Sequence, residues 1–135
     1  EAGRCAVGWI AEWARAGATR QLGRVASDPR VELAVGDVAD EIARAEPGWD
    51  AILLDVDNGP SFLIHDHNER VYSPAFLERC LHLLRPGGRL VIWCEAESPE
   101  LETTLRRMAK VQLITVGVNR EGRSFDYALY SATPR

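Results

Sequence analysis

The chain has 135 residues, 46% of them hydrophobic and 27% charged, with a formal net charge of -4 at neutral pH. That length and balance fit one globular domain with a substantial core and exclude a disordered or fibrous chain. The negative charge argues against a general phosphate-backbone binder, and no apolar stretch approaches the ~20 residues that span a bilayer, so neither nucleic acid nor a membrane is an expected partner.

The N-terminal stretch "EAGRCAVGWI" has no basic region leading into a continuous apolar run, so a secretory signal is not expected within the chain. Cys5, Cys80 and Cys94 are odd in number and widely separated, which points to a reducing cytoplasm rather than a disulfide framework. After a first helix-like segment, short apolar runs alternate with stretches of helical period. The runs are "VELAV" (31–35), "AILLDV" (51–56) and "RLVIWC" (89–94). Each is apolar on nearly both faces, as parallel strands covered by helices on each side must be.

Ser73 and Pro74 read as the N-cap and first residue of a helix on which Phe76, Leu77, Cys80, Leu81 and Leu84 recur at helical spacing, and "RPGG" ends it. Ser98 and Pro99 repeat the start signal, with Leu101, Leu105 and Met108 as a narrower stripe. "VQLITVGV" (111–118) and "FDYALYSA" (125–132) flank the polar "NREGRS" with no helix between them, which predicts an antiparallel hairpin. The expected fold is therefore α/β and Rossmann-like: one domain over 1–135, a mostly parallel sheet with helices on both faces, and a C-terminal antiparallel hairpin.

In such sheets ligands bind beyond the carboxyl ends of the strands, and two acidic turns fall there. "VGDVAD" sets Gly36 and Asp37 after the run 31–35, and "DVDNGP" sets Asp55 at the end of the next strand with Asp57 in the turn. Asp55 either caps its turn through local backbone hydrogen bonds or faces a ligand. Asp57 has an obvious local use in the Asn58–Gly59 turn. Asp37 can be the N-cap of the helix containing Ile42, a role compatible with ligand contact.

"IHDHNER" (64–70) would bring His65 and His67 to one face if extended, near Asp66 and Glu69. Two loop histidines are thin grounds for a metal site, and a solvated gate loop over the crevice is preferred, with no metal expected. His82 reads as a packed or surface helix residue. Cys80 and Cys94 read as core residues with no adjacent base, Trp93 as core filling rather than an adenine contact, and Trp49 as packing where its helix meets the sheet.

"DPRVELAVGDVAD", "WDAILLDVDNGP", "YSPAFLERCLHLLRPGGRLVIW" and the terminal hairpin, taken in order over roughly residues 28–132, resemble the spermidine synthase-like branch of the class I S-adenosylmethionine-dependent methyltransferase fold. The resemblance implies a transferase that moves a methyl or aminopropyl group from S-adenosylmethionine or its decarboxylated form to a small cationic amine, in the manner of polyamine synthesis. It implies that Asp37, with Gly36 and Val38 beside it, binds the cofactor by accepting a hydrogen bond from the adenine amino group. It makes Asp55 the proton acceptor that holds the attacking amine, with Asp57, Asn58 and Tyr72 on the substrate side, and it leaves a homodimer possible.

The chain departs from that pattern in two places. A second aspartate is expected three positions after Asp55, where Asn58 stands, and Asp57 comes one position early. The fold also begins with a strand and a glycine-rich turn, and none is found. "RCAVGWIAEWAR" resembles the end of the second strand, with Gly8 near the place of the ribose-binding acid and Glu12 the nearest acid. The expectation is a fold incomplete at the N-terminus, with strand 51–56 lacking one hydrogen-bonding neighbour. The alternative from another class is a non-catalytic binding or oligomerisation module that keeps the fold.

Overall fold

The computed structural model describes residues 5–7, 36–56, 59–60, 66–120 and 122–135. Their elements in chain order are β1 (Cys5–Val7), α1 (Val38–Arg44), β2 (Trp49–Leu54), a 3-10 helix (Asp66–Tyr72), α2 (Pro74–Leu83), β3 (Leu84–Cys94), α3 (Pro99–Met108), β4 (Ala109–Arg120) and β5 (Arg123–Pro134). The strands form a sheet in the order β1-β2-β3-β5-β4. β1, β2 and β3 run parallel, and β5 returns antiparallel between β3 and β4.

The core lies where alternate strand residues meet helix stripes. Ile52 and Leu54 of β2, Leu90, Ile92 and Cys94 of β3, and Ala128, Tyr130 and Ala132 of β5 point to one face. There they join Leu77, Cys80 and Leu81 of α2 and Leu101 and Leu105 of α3 in a single cluster. Both helices start as their sequences demand: the Ser73 and Ser98 hydroxyls accept from the Phe76 and Leu101 N–H groups, each followed by proline in the first turn. The run 31–35 lies outside the described residues.

Strand bounds and one strand pairing differ from the sequence expectation. The third strand starts at Leu84 rather than Arg89, because Leu84 pairs with Trp49 before Arg89 resumes with Ala51. "RPGG" therefore ends α2 and forms an irregularity inside β3, with Gly87 at φ +83. An ion pair between Arg85 and Asp50 holds it to β2. The hairpin is longer, pairing from Ala109↔Pro134 out to Arg120↔Arg123, since its ladder continues through polar residues that carry no periodicity signal. Strand 51–56, expected to lack a neighbour, has one: Cys5, Ala6 and Val7 pair parallel with Ala51, Ile52 and Leu53. Residues read as the end of a second strand thus lie beside β2, where the resemblance sets the first.

Tyr130 fastens α3 to the sheet. Its ring is fully buried, its hydroxyl accepts from the Ser98 N–H at 2.6 Å, and Ser98 is 2% exposed. Burial raises the hydroxyl's pKa above the ordinary tyrosine value. Tyr130→Phe strands that buried N–H, so urea denaturation should show a loss of about 1–3 kcal/mol. An unchanged midpoint would mean that Ser98 finds water instead.

Candidate functional site

The carboxyl ends of β2 and β3 lie side by side, with Leu54 level with Ile92. Strand alternation buries Ile52, Leu54 and Val56 and turns Asp55 outward, where it is exposed. Gly59, buried at φ +105, lies directly against β3: a Cβ there would come within 3.1 Å of the Cys94 Cβ and 3.2 Å of its sulfur. The Tyr72 hydroxyl donates to the Val56 carbonyl, the residue after Asp55. The backbone after Asp55 is thus held by a hydrogen bond at Val56 and by packing at Gly59, while the Asp55 side chain is exposed. Glu95 and Glu97, exposed just after β3, add negative charge at the same sheet edge.

Asp37 is the N-cap of α1. Its Oδ1 accepts from the Ala39 N–H at 2.9 Å and from the Asp40 N–H at 3.4 Å, and Glu41 N–H bonds to its carbonyl. The Val38 N–H is the first-turn donor that no hydrogen bond takes among the described residues. Arg70 of the 3-10 helix pairs with Asp37 Oδ2. At the other end of α1, Arg79 of α2 donates to the carbonyls of Ile42, Ala43 and Ala45, at 2.6 Å for the last. Those are the orphan carbonyls of a helix C-terminus, so α1, and Asp37 with it, is fixed to the core helix.

Asp37 and the backbone beside Asp55 are therefore linked through one short segment. The 3-10 helix reaches Asp37 through Arg70 and the Asp55 turn through Tyr72, and Val71 between them is 2% exposed. The end of "IHDHNER" is helical rather than extended: Asp66–Tyr72 is a 3-10 helix closed by Ser73, whose N–H and hydroxyl both donate to the Arg70 carbonyl, at 3.1 and 2.7 Å. Buried Val71 supplies the physical reason, because an extended strand would carry it off the core. Asp57, Asn58 and His65 lie outside the described residues, as do the side chains of Asp66 and His67.

Sequence reading missed Arg70, Arg79 and the role of Gly59. The arginines carry no motif, and only a fold brings α1, α2 and the 3-10 helix together. Cys94 lies against the acidic turn, yet burial pushes its thiol up to about 11 and that of Cys80 up to about 12, so both stay protonated at neutral pH and neither is a nucleophile.

The residues at α1 fit the edge of an adenine. A carboxylate acceptor and an adjacent backbone donor match the amino group and ring nitrogen that adenine presents side by side. No family model matches the sequence. Over 112 residues, 79% of its length, the chain is 29% identical to a polyamine aminopropyltransferase of Synechococcus sp. (strain JA-3-3Ab). It spans about a third of that relative, 32% of its length. Among solved structures, the Burkholderia thailandensis 1,6-didemethyltoxoflavin-N1-methyltransferase with bound S-adenosylhomocysteine superposes with a TM-score of 0.58 at 21% identity, over 96% of this chain and 59% of that one. Human methyltransferase-like protein 13 in complex with SAH gives 0.56 at 19% identity, over 80% and 51%. Sheet order and these structural likenesses give the chain the Rossmann-like fold of the class I methyltransferases, and its sequence likeness is to a polyamine aminopropyltransferase.

Proposed function

We propose that the protein is a transferase that moves an alkyl group from an S-adenosylmethionine-type sulfonium to a small cationic amine, with Asp55 as the base. The observation that carries the reading is the placement of an outward, exposed Asp55 carboxylate on a backbone fixed by Tyr72 and Gly59, one 3-10 helix away from the Asp37 cap. When bound, the sulfonium supplies an alkyl carbon already activated for in-line displacement. Asp37 and the Val38 N–H would hold its adenine. Asp55 would hold the acceptor's ammonium group and take one proton from it, leaving the amine lone pair to form the new carbon–nitrogen bond as the carbon–sulfur bond breaks and its electron pair stays on the thioether. Positioning then supplies much of the acceleration, since two reactants are held in line.

The acidic edge of Asp55, Glu95 and Glu97 favours a cationic acceptor by attraction. The choice between methyl and aminopropyl transfer is read by the cofactor. Thermal-shift titration with S-adenosylmethionine, its decarboxylated form and methylthioadenosine should stabilise the protein by about 2.7 kcal/mol at a hundred times the dissociation constant. The decarboxylated cofactor should act best for aminopropyl transfer and the carboxylated one for methyl transfer. Absence of a shift with all three would refute the reading and favour a binding module without a cofactor.

A further inference from the structure

Asp37 has one carboxylate oxygen for two claimants. Oδ1 is committed to the first turn of α1, bonding Ala39 and Asp40, so only Oδ2 can meet an outside donor, and Oδ2 faces Arg70. Rotating the carboxylate to offer the other oxygen would strip the helix of its cap. We propose that Arg70 is a latch residue: its guanidinium competes with the adenine amino group for Asp37 Oδ2, and ligand binding opens the ion pair. The proposal rests on the functional reading above and extends it to residues for which that reading gives no role.

Two features make the exchange mechanically useful. The pair is about half exposed, at 49% for Arg70 and 41% for Asp37, so it is weak enough for a neutral hydrogen-bond donor to displace. Arg70 also stands two residues before Tyr72, whose hydroxyl holds the Val56 carbonyl beside Asp55. Freeing Arg70 loosens the segment that anchors the acceptor-side turn, so occupancy at Asp37 is transmitted to Asp55 through a single 3-10 helix. The closed latch thus ties Asp37 to the segment beside Asp55, and the adenosine ligand is the key that releases it.

The test uses methylthioadenosine, which carries no charge, so its own binding is insensitive to ionic strength and any salt effect reports on the protein. Isothermal titration calorimetry on the wild type and Arg70→Gln is run at low and at high salt, with circular dichroism to check that the exposed exchange leaves the fold intact. The variant should bind about two- to five-fold more tightly at low salt, the range that a half-exposed ion pair permits. Wild-type affinity should rise with salt toward that of the variant, because screening weakens the pair, and the variant should show no such rise. Arg70→Lys should fall between the two, since it keeps the charge and loses the planar fork.

Weaker or unchanged binding by Arg70→Gln, or a wild-type affinity indifferent to salt, overturns the latch and leaves the transferase reading standing. Absence of methylthioadenosine binding by both proteins overturns that reading and the latch together. Should the variant fail to fold, the wild-type salt series decides the matter alone.

Discussion

Asp55→Asn should lower kcat by about 10²- to 10⁴-fold, the usual worth of a positioned general base, while methylthioadenosine binding stays unchanged. The substitution is isosteric and falls on an exposed side chain, so the melting temperature should move little. The pH dependence carries the sign. An aliphatic amine with a pKa near ~10 is protonated at neutral pH, and the variant has no carboxylate to take its proton. Turnover by the variant should therefore climb steeply as pH rises toward that value and solvent deprotonates the acceptor. The wild type, with its base in place, should have less of its rate to recover over the same range. Steady-state kinetics from pH 7 to 10 measures both, and full turnover by Asp55→Asn at pH 7 would remove Asp55 from the base role.

The fold was legible wherever local chemistry and long-range packing agree. Ser–Pro starts at 73–74 and 98–99 mark α2 and α3 because proline at the first turn and a hydroxyl cap need no tertiary partner. The terminal hairpin followed from two branched runs with only polar residues between them, and its tight end is made at Gly122, with φ +75. β3 was shortened by four visible turn residues, "RPGG", whose message is ambiguous: the same glycine and proline that stop a helix also permit a strand irregularity. Gly88 resolves it, because a Cβ there would meet the Trp49 carbonyl oxygen at 2.9 Å, a contact between strands that a single sequence cannot display.

The candidate site was legible in its acids and illegible in what positions them. Asp37 and Asp55 stand at strand or helix ends with glycine nearby, a pattern that a sequence carries on its own. Arg70 and Arg79 act across 33 and 34 residues or more of chain, on Asp37 and on the carbonyls of α1, and neither has a local signature. The pairing of β1 with β2 was likewise unreadable, since three residues of "CAV" carry no period and the partner is distant in sequence. Side chains that are chemistry by themselves can be found in sequence, whereas side chains that are geometry need the fold.

Gly59→Ala should destabilise the protein by about 2–6 kcal/mol and lower kcat alongside, because it unseats the backbone that follows Asp55. Two costs combine. At φ +105 an L residue is strained by about 1–3 kcal/mol. The new methyl would also press on the Cys94 Cβ at 3.1 Å and sulfur at 3.2 Å, an overpacking of about 1–3 kcal/mol at a fully buried residue of β3. The second cost can be separated from the first by Cys94→Ala, which removes the sulfur and leaves the backbone alone. In a double-mutant cycle by chemical denaturation, Gly59→Ala should be milder on the Cys94→Ala background, with a coupling of about 0.5–2 kcal/mol. The remaining loss is the backbone strain together with the contact on the Cβ that alanine keeps at position 94. Additive effects would show that Gly59 does not rest on Cys94.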